Sequence, residues 1–127
     1  MAALTEKQIA FLEATNFAVV TTVGEDGGLQ STVVWIDTDG EHVVFNTKPS
    51  RAKGLNLARD PRVSVCVVDE HDWHRFVEFE GTATMDETGA VEHIEKLSQQ
   101  YDGRPFREPV NRVIVRVTPT RITEHDL

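Results

Sequence analysis

The sequence has few of the residues that would build a disulfide framework, a membrane span or a surface for polyanions. Its one cysteine, Cys66, lies in an apolar run and has no partner in the chain. No apolar run approaches the roughly 20 residues that a membrane-spanning helix needs. Lysine and arginine number 13 against 21 acidic residues, and the formal net charge is −8. These features predict a cytoplasmic protein that binds neither nucleic acid nor an anionic membrane surface.

Several signatures of catalysis are also missing. The chain has no Gly-x-Gly-x-x-Gly run and no Walker lysine, and no serine stands in a nucleophile elbow. Cys66 is predicted to be buried without a placed histidine, which disfavours covalent catalysis. His71 and His74 have a spacing seen in metal sites, but they lack an acidic or cysteine partner at zinc-like spacing, so a solvated loop explains them better. We therefore assign no catalytic residue and no metal site.

The chain does contain clear strand, turn and helix signals. With 127 residues, 39% of them hydrophobic, it has the length and composition of one domain spanning 1–127. Thr5 and Gln8 have capping-box spacing, and a second helical stripe covers 90–101. Roughly six or seven strands with short hairpins predict a mainly β fold, an antiparallel barrel with short helices at its ends. Side chains fill such a small barrel, so a ligand would lie outside it, in a groove completed by a second subunit.

Two strand assignments depend on local pattern alone. The strand predicted over 29–36 is apolar on both faces in its second half, which is typical of a central strand. Near the end of the chain, the pattern predicts one strand over 112–117 and a separate short strand over 121–123.

Positive charge is concentrated over 48–62, where five basic residues accompany a single acid, Asp60. The pattern predicts a strand, a turn and a short helix with Ser50 as its N-cap. A helix N-terminus presents free amides and a partial positive charge, so basic and hydroxyl side chains beside it favour phosphate or a similar anion. The side chains predicted to bind the anion are Thr47, Ser50, Arg51 and Lys53. A solvated basic face on an ordinary connecting helix explains the same pattern about equally well.

This part of the chain resembles the phosphate-binding segment of the pyridoxamine phosphate oxidase-like split-barrel flavoproteins. The resemblance is carried by the runs 45–53, 56–57 and 60–64, and similar runs at 17–22, 79–83 and 112–119 extend it over nearly the whole chain. The short length and the Arg51-Ala52-Lys53 form most resemble the actinobacterial branch that uses the deazaflavin coenzyme F420. The resemblance implies an antiparallel split β-barrel that forms a homodimer, with two cofactor sites at the subunit interface.

The resemblance also implies a set of cofactor-binding residues, in three groups. These are Asn46, Thr47, Ser50, Arg51 and Lys53 for the phosphate and ribityl tail; Ser31, Thr32, Val33, Val34 and Trp35 along the ring system; and Trp73 and Arg112 from the partner subunit.

Two departures from the family pattern disfavour vitamin B6 oxidation. Pyridoxamine phosphate oxidases carry basic residues where this chain has Ser31 and Ile36, and they continue past the position of Leu127 with a tryptophan- and arginine-bearing segment. The resemblance instead implies an F420-dependent oxidoreductase that transfers a hydride to a conjugated small molecule, with the protein positioning the cofactor and screening water. The alternatives are an FMN-binding split-barrel oxidoreductase and a non-catalytic barrel that binds a flavin or tetrapyrrole.

Overall fold

The computed structural model describes residues 2–127, which form one antiparallel sheet and three helices. The helices are α1 (Glu6–Glu13), α2 (Ala52–Arg59) and α3 (Ala90–Asp102), and the strands are β1 (Phe17–Val23), β2 (Leu29–Val34), β3 (Asp37–Thr38), β4 (Val43–Thr47), β5 (Arg62–Val68), β6 (Phe76–Asp86) and β7 (Val113–His125). The mainly β class with short helices is confirmed. Over 2–127, no helix has the length and apolarity needed to cross a membrane.

The sheet curls into a split barrel because its two edge strands are neighbours in sequence. The strand order is β2-β1-β5-β6-β7-β4-β3, so β2 and β3 form opposite edges. Only Trp35 and Ile36 separate these two strands along the chain. The edges must therefore approach each other at this end of the sheet. They are not paired with one another, which leaves the barrel split along this seam.

Side chains fill the interior of the barrel, as predicted. Phe45 from β4 and Phe79 from β6 are fully buried, together with Ile36 from the seam. Helix α1 covers this core with Phe11 and Leu12. Each such side chain stabilises the fold by about 1.5–3 kcal/mol when it leaves water. A flat ligand therefore has no room inside the barrel.

Strand β2 lies at an edge of the sheet, so its prediction as a central strand was wrong. It ends at Val34 and pairs with β1 alone among the described strands. The apolar side chains in the second half of β2 have different surroundings on the two faces of the sheet. Val34 packs against the core, whereas Val33 points to the other face and is 70% exposed.

The chain ends in one long strand, β7, rather than in the two strands that were predicted. The register shifts between Glu80 and Gly81 of β6, which pair with Arg121 and Pro119 of β7 and leave Thr120 as the extra residue of a bulge. Proline lacks an amide hydrogen and breaks a regular ladder, but a bulge accepts it. Gly81 permits the close approach, because a Cβ at this position would overlap the Thr118 carbonyl oxygen.

Candidate functional site

Pairing of β4 with β7 brings two distant parts of the sequence to the seam of the barrel. Thr47 pairs with Val113, so Arg112, which directly precedes β7, lies beside the end of β4. Together with β2, α3 and the start of α2, these segments surround a cleft of about 220 Å³, which we call the seam cleft. Its lining residues are Val33, Val34, Trp35, Asn46, Thr47, Arg51, Lys53, Ile94, Leu97, Phe106 and Arg112.

Helix α2 begins one residue later than predicted. Arg51 occupies the N-cap position with extended backbone angles (φ −77°, ψ 160°), and it makes no side-chain capping hydrogen bond. The prediction of Ser50 as the N-cap was wrong because the amide of Arg51 donates to the Lys48 carbonyl oxygen at 3.1 Å, which extends the turn by one residue. The first amides of the helix still lack intrahelical acceptors, as at every helix start.

Positive charge accumulates in the seam cleft. Burial lowers the pKa of Lys53, and the charges of Arg51 and Arg112 lower it further. Burial and the charge of Arg51 likewise lower the pKa of Arg112. No acidic side chain is among the described residues that line the cleft. An anion bound between these cations would relieve their mutual repulsion.

Two buried polar atoms at the cleft have no hydrogen-bond partner within residues 2–127. They are the hydroxyl oxygen Oγ1 of Thr47 and the guanidinium nitrogen Nη1 of Arg112. A buried polar group that is left unpaired costs about 1–3 kcal/mol. Because both atoms belong to lining residues of one cleft, the donor set fits a phosphate-bearing ligand.

Aromatic rings form one wall of the cleft. The Trp35 ring stacks on Tyr101 of α3, with 5.6 Å between ring centroids, and meets the edge of Phe106 at 5.9 Å. The Arg112 guanidinium carbon lies 5.1 Å from the centroid of Phe106, within range of a cation–π contact. The hydroxyl of Tyr101 accepts a hydrogen bond from the amide of Ile36 at 3.1 Å. This bond ties α3 to the seam.

Comparison with known proteins identifies the family. The family described as Pyridoxamine 5'-phosphate oxidase matches residues 4–126. The chain belongs to this family. A solved structure named F420 Reductase has 28% sequence identity and a TM-score of 0.83 to this chain; the match covers 94% of this chain and 98% of that one. The conserved hypothetical protein Rv2991 from Mycobacterium tuberculosis has 30% identity and a TM-score of 0.79, covering 97% of this chain and 85% of that one.

A curated member of the same oxidase family matches part of the chain. The pyridoxine/pyridoxamine 5'-phosphate oxidase of Kineococcus radiotolerans is 40% identical over 68 residues. That match covers 54% of this chain and only 30% of the oxidase. HupZ of Group A Streptococcus, with 19% identity and a TM-score of 0.73, shares the fold.

Four of the residues predicted to bind the cofactor do not line the seam cleft. Thr32 adjoins it, since its hydroxyl accepts a hydrogen bond from Lys53 Nζ at 2.9 Å. Ser31 bonds Thr21 across the exposed sheet face, and Ser50 is exposed in the turn before α2. Trp73 is 77% exposed in the β5–β6 loop, and its contact with a partner's site remains a prediction.

The structure places one predicted residue differently and adds three that the sequence did not single out as site residues. Arg112 lines the cleft of its own chain, whereas the resemblance implied a contribution from the partner subunit. Ile94 and Leu97 belong to the apolar stripe predicted over 90–101, a pattern that indicates core positions. Phe106 stands in an irregular loop after α3, where no periodicity marks it. Arg112, which lies over the Phe106 ring, is brought beside Asn46 by the β4–β7 pairing.

Proposed function

We propose that this protein is an F420-dependent oxidoreductase that transfers a hydride from the reduced deazaflavin to a conjugated small-molecule acceptor. The seam cleft carries this proposal, because the cations Arg51, Lys53 and Arg112 line it together with Thr47, whose hydroxyl has no partner within residues 2–127. Phosphate is the ligand chemistry that such a donor set takes. Membership of an oxidase family and the match to a protein named F420 Reductase support the redox part.

In the proposed complex, the phosphate and ribityl tail occupy the basic part of the cleft, with Asn46, Thr47, Arg51 and Lys53 around them. Val33, Val34 and Trp35 lie along the ring system. Reduced deazaflavin supplies two electrons as a hydride, so the protein needs no acid–base pair of its own to start the transfer. The chain's residues bind, orient and exclude water.

We further propose a homodimer in which a second copy completes each site. The cleft measures about 220 Å³, below the roughly 300 Å³ at which small-molecule sites usually start. Val33 both lines the cleft and lies on the exposed face of β2. A partner packed on that face would therefore deepen the cleft and cover the ring of the cofactor.

FMN is the alternative cofactor, and the family name supports it. Both cofactors carry a phosphate, so the basic part of the cleft does not discriminate between them. Selection between F420 and FMN would therefore depend on the ring system of the cofactor, which Trp35 would flank. The acceptor would stack on the open ring face, where apolar contacts suit a flat conjugated molecule.

The test is a fluorescence titration of the cofactor-free protein with F420 and, in parallel, with FMN. Trp73 should first be replaced by phenylalanine, so that Trp35 in the cleft wall is the only tryptophan. We expect quenching that saturates with F420 at concentrations well below those needed for FMN. Tighter binding of FMN would move the protein to the flavin-dependent alternative, and no response to either cofactor would refute the proposal.

The charge requirement is tested by combining Arg51→Ala with Lys53→Ala. We expect cofactor affinity to fall at least 100-fold, because each charge-assisted hydrogen bond contributes roughly 1.5–3 kcal/mol. The matched control combines Lys7→Ala with Arg59→Ala, which removes the same charge from exposed positions outside the cleft. Equal losses in the two double variants would indicate a general charge effect and contradict a specific anion site.

A further inference from the structure

A cluster of ionisable side chains lies behind the seam cleft without lining it. Asp37 at the start of β3 is buried and accepts a hydrogen bond from His93 Nε2 at 3.1 Å and from Lys96 Nζ at 2.9 Å. Burial alone would raise the pKa of Asp37, but these two hydrogen bonds, a hydrogen bond from the Thr38 backbone and the charge of Lys96 together lower the pKa to about 2. Asp37 is therefore a carboxylate at any physiological pH, and it can only accept hydrogen bonds.

The cluster connects to the cleft through Asn46. Its Oδ1 accepts from Arg112 Nε at 2.8 Å. Its Nδ2 donates to the Ala90 carbonyl oxygen at 2.9 Å and to His93 Nδ1 at 3.1 Å. The result is a continuous buried chain of hydrogen bonds from Asp37 through His93 and Asn46 to Arg112.

The two ends fix the direction of every hydrogen bond in this chain. Arginine has no acceptor, so Asn46 must present its oxygen to Arg112 and its amide nitrogen to His93. His93 Nδ1 must then accept, which leaves the imidazole proton on Nε2, where the Asp37 carboxylate receives it. Only the neutral Nε2–H tautomer of His93 satisfies all three contacts.

We propose that His93 and Asp37 are positioning residues for anion binding, which act through Asn46 to hold the Arg112 guanidinium in the seam cleft. With Nε anchored on Asn46, Arg112 keeps its unpaired Nη1 beside the cleft. Without the His93 contact, the Asn46 amide keeps only its hydrogen bonds to the Ala90 carbonyl oxygen and to Arg112, so it holds the guanidinium less firmly. The inference rests on the proposed anion-binding role of the cleft.

Charged groups of both signs lie around His93. Asp37 faces it from β3, and Lys96 on its own helix shares the same carboxylate oxygen. From the β4 and β7 side, Asn46 stands between the ring and the Arg112 guanidinium. The Asp37 charge is thus shared between one histidine N–H and one lysine.

The first test measures the cofactor-free protein by NMR with ¹⁵N labelling. A long-range ¹H–¹⁵N correlation should give His93 an unprotonated Nδ1 and a protonated Nε2. The Arg112 Nε–H should appear as a protected side-chain signal. In His93→Phe, hydrogen exchange at this Nε–H should become roughly tenfold faster, the loss expected when one hydrogen bond in a buried chain is removed. A protonated Nδ1, or unchanged exchange in His93→Phe, would overturn the proposal.

Two further variants separate positioning from general loosening of the structure. His93→Asn places an acceptor near the former Nδ1 and should restore Arg112 protection to within about threefold of the unaltered protein. His42→Phe removes a matched histidine–aspartate pair, in which His42 Nδ1 lies 2.8 Å from Asp39 Oδ2, and should leave Arg112 unchanged. If backbone amides of β4 and β7 exchange faster in parallel with Arg112 in His93→Phe, the role is structural and the proposal is wrong.

Binding measurements complete the test. We expect His93→Phe to weaken binding of F420 or FMN about tenfold and His93→Asn to recover most of it. Normal binding by His93→Phe would contradict the positioning role. If the unaltered protein binds neither cofactor, the proposed function fails, and the NMR result still decides whether His93 holds Arg112.

Discussion

Two adjacent residues of β4 show how this chain treats buried polar groups. Asn46 uses both of its amide hydrogens and its oxygen within the protein. Thr47, the next residue, leaves its hydroxyl oxygen unpaired at the seam cleft. A satisfied group stabilises or orients the fold, whereas an unsatisfied one costs free energy until a ligand reaches it. These two neighbouring residues therefore have different roles: Asn46 orients groups within the protein, whereas the Thr47 hydroxyl is available to a ligand.

This difference predicts opposite effects of Thr47→Val on stability and binding. Valine keeps the shape of threonine and removes the unpaired hydroxyl, so we expect the free energy of unfolding to stay the same or rise by about 1 kcal/mol. Cofactor affinity should fall about tenfold, because one hydrogen bond to the phosphate is lost. Urea unfolding without ligand and a fluorescence titration measure the two quantities. A loss of stability with unchanged affinity would mean that the hydroxyl serves the fold.

Local composition was enough to find the cations of the cleft but not their arrangement. Arg51 and Lys53 stood out because basic residues are sparse elsewhere. On one ideal helix they would point to different sides, but Arg51 is the N-cap, and both line the cleft. Arg112 could not be placed from local sequence, because the β4–β7 pairing brings it beside Asn46, which is 66 residues away in the chain. Phe106 lies in the loop between α3 and β7, where no periodic pattern marks it.

At the scale of elements, helix α2 is positioned by close contact with the turn that precedes it. A Cβ on Gly54 would lie 2.6 Å from the Lys48 carbonyl oxygen and 2.8 Å from the Pro49 Cα atom. Both are backbone atoms, which cannot move aside as a flexible side chain does. The absence of a side chain at Gly54 therefore lets the helix start, with Arg51 and Lys53, approach the end of β4.

Gly54→Ala should consequently destabilise the protein although alanine is the better helix former. Propensity alone would favour alanine by about 1 kcal/mol. The contact with the turn should outweigh this gain and give a net loss of about 1–3 kcal/mol in the free energy of unfolding. Cofactor affinity should fall as well, because the turn carries Arg51. Chemical denaturation and the cofactor titration are the measurements.

The control for this variant is Ala58→Gly, at an exposed position of the same helix. It should cost about 1 kcal/mol by propensity and leave cofactor affinity unchanged. A stabilised Gly54→Ala protein would mean that the helix start shifts freely and is not positioned by Gly54.

Elements with local signals were predicted well, and those set by the whole sheet were not. The Thr5–Gln8 capping box forms as predicted, because each of its hydrogen bonds spans only a few residues. The edge position of β2 depends on how the sheet is ordered, and its apolar pattern alone could not reveal it. Likewise, the continuity of β7 through Pro119 depends on a bulge at Thr120, where its pairing with β6 shifts by one residue.

At the scale of the whole molecule, the curled sheet leaves an apolar surface on its outer face. Phe17 of β1 is 51% exposed and Leu29 of β2 is 75% exposed, and Val33 lies on the same face. Strand alternation places these side chains away from the filled core. Large apolar side chains exposed on a sheet face that adjoins a binding cleft favour burial against another protein surface. The proposed homodimer would use this face and the cleft together.

The dimer proposal predicts that a charge at Leu29 weakens cofactor binding from outside the cleft. Leu29 does not line the seam cleft, so Leu29→Glu leaves the site of a single chain intact. Burying an unpaired carboxylate in an apolar interface is strongly unfavourable. We therefore expect Leu29→Glu to sediment as a monomer and to lose at least tenfold in cofactor affinity, because the second half of each site is missing. Ala10→Glu, at an exposed position of α1 that does not line the seam cleft, is the control and should remain dimeric. A monomeric Leu29→Glu protein with full affinity would mean that one chain binds the cofactor alone.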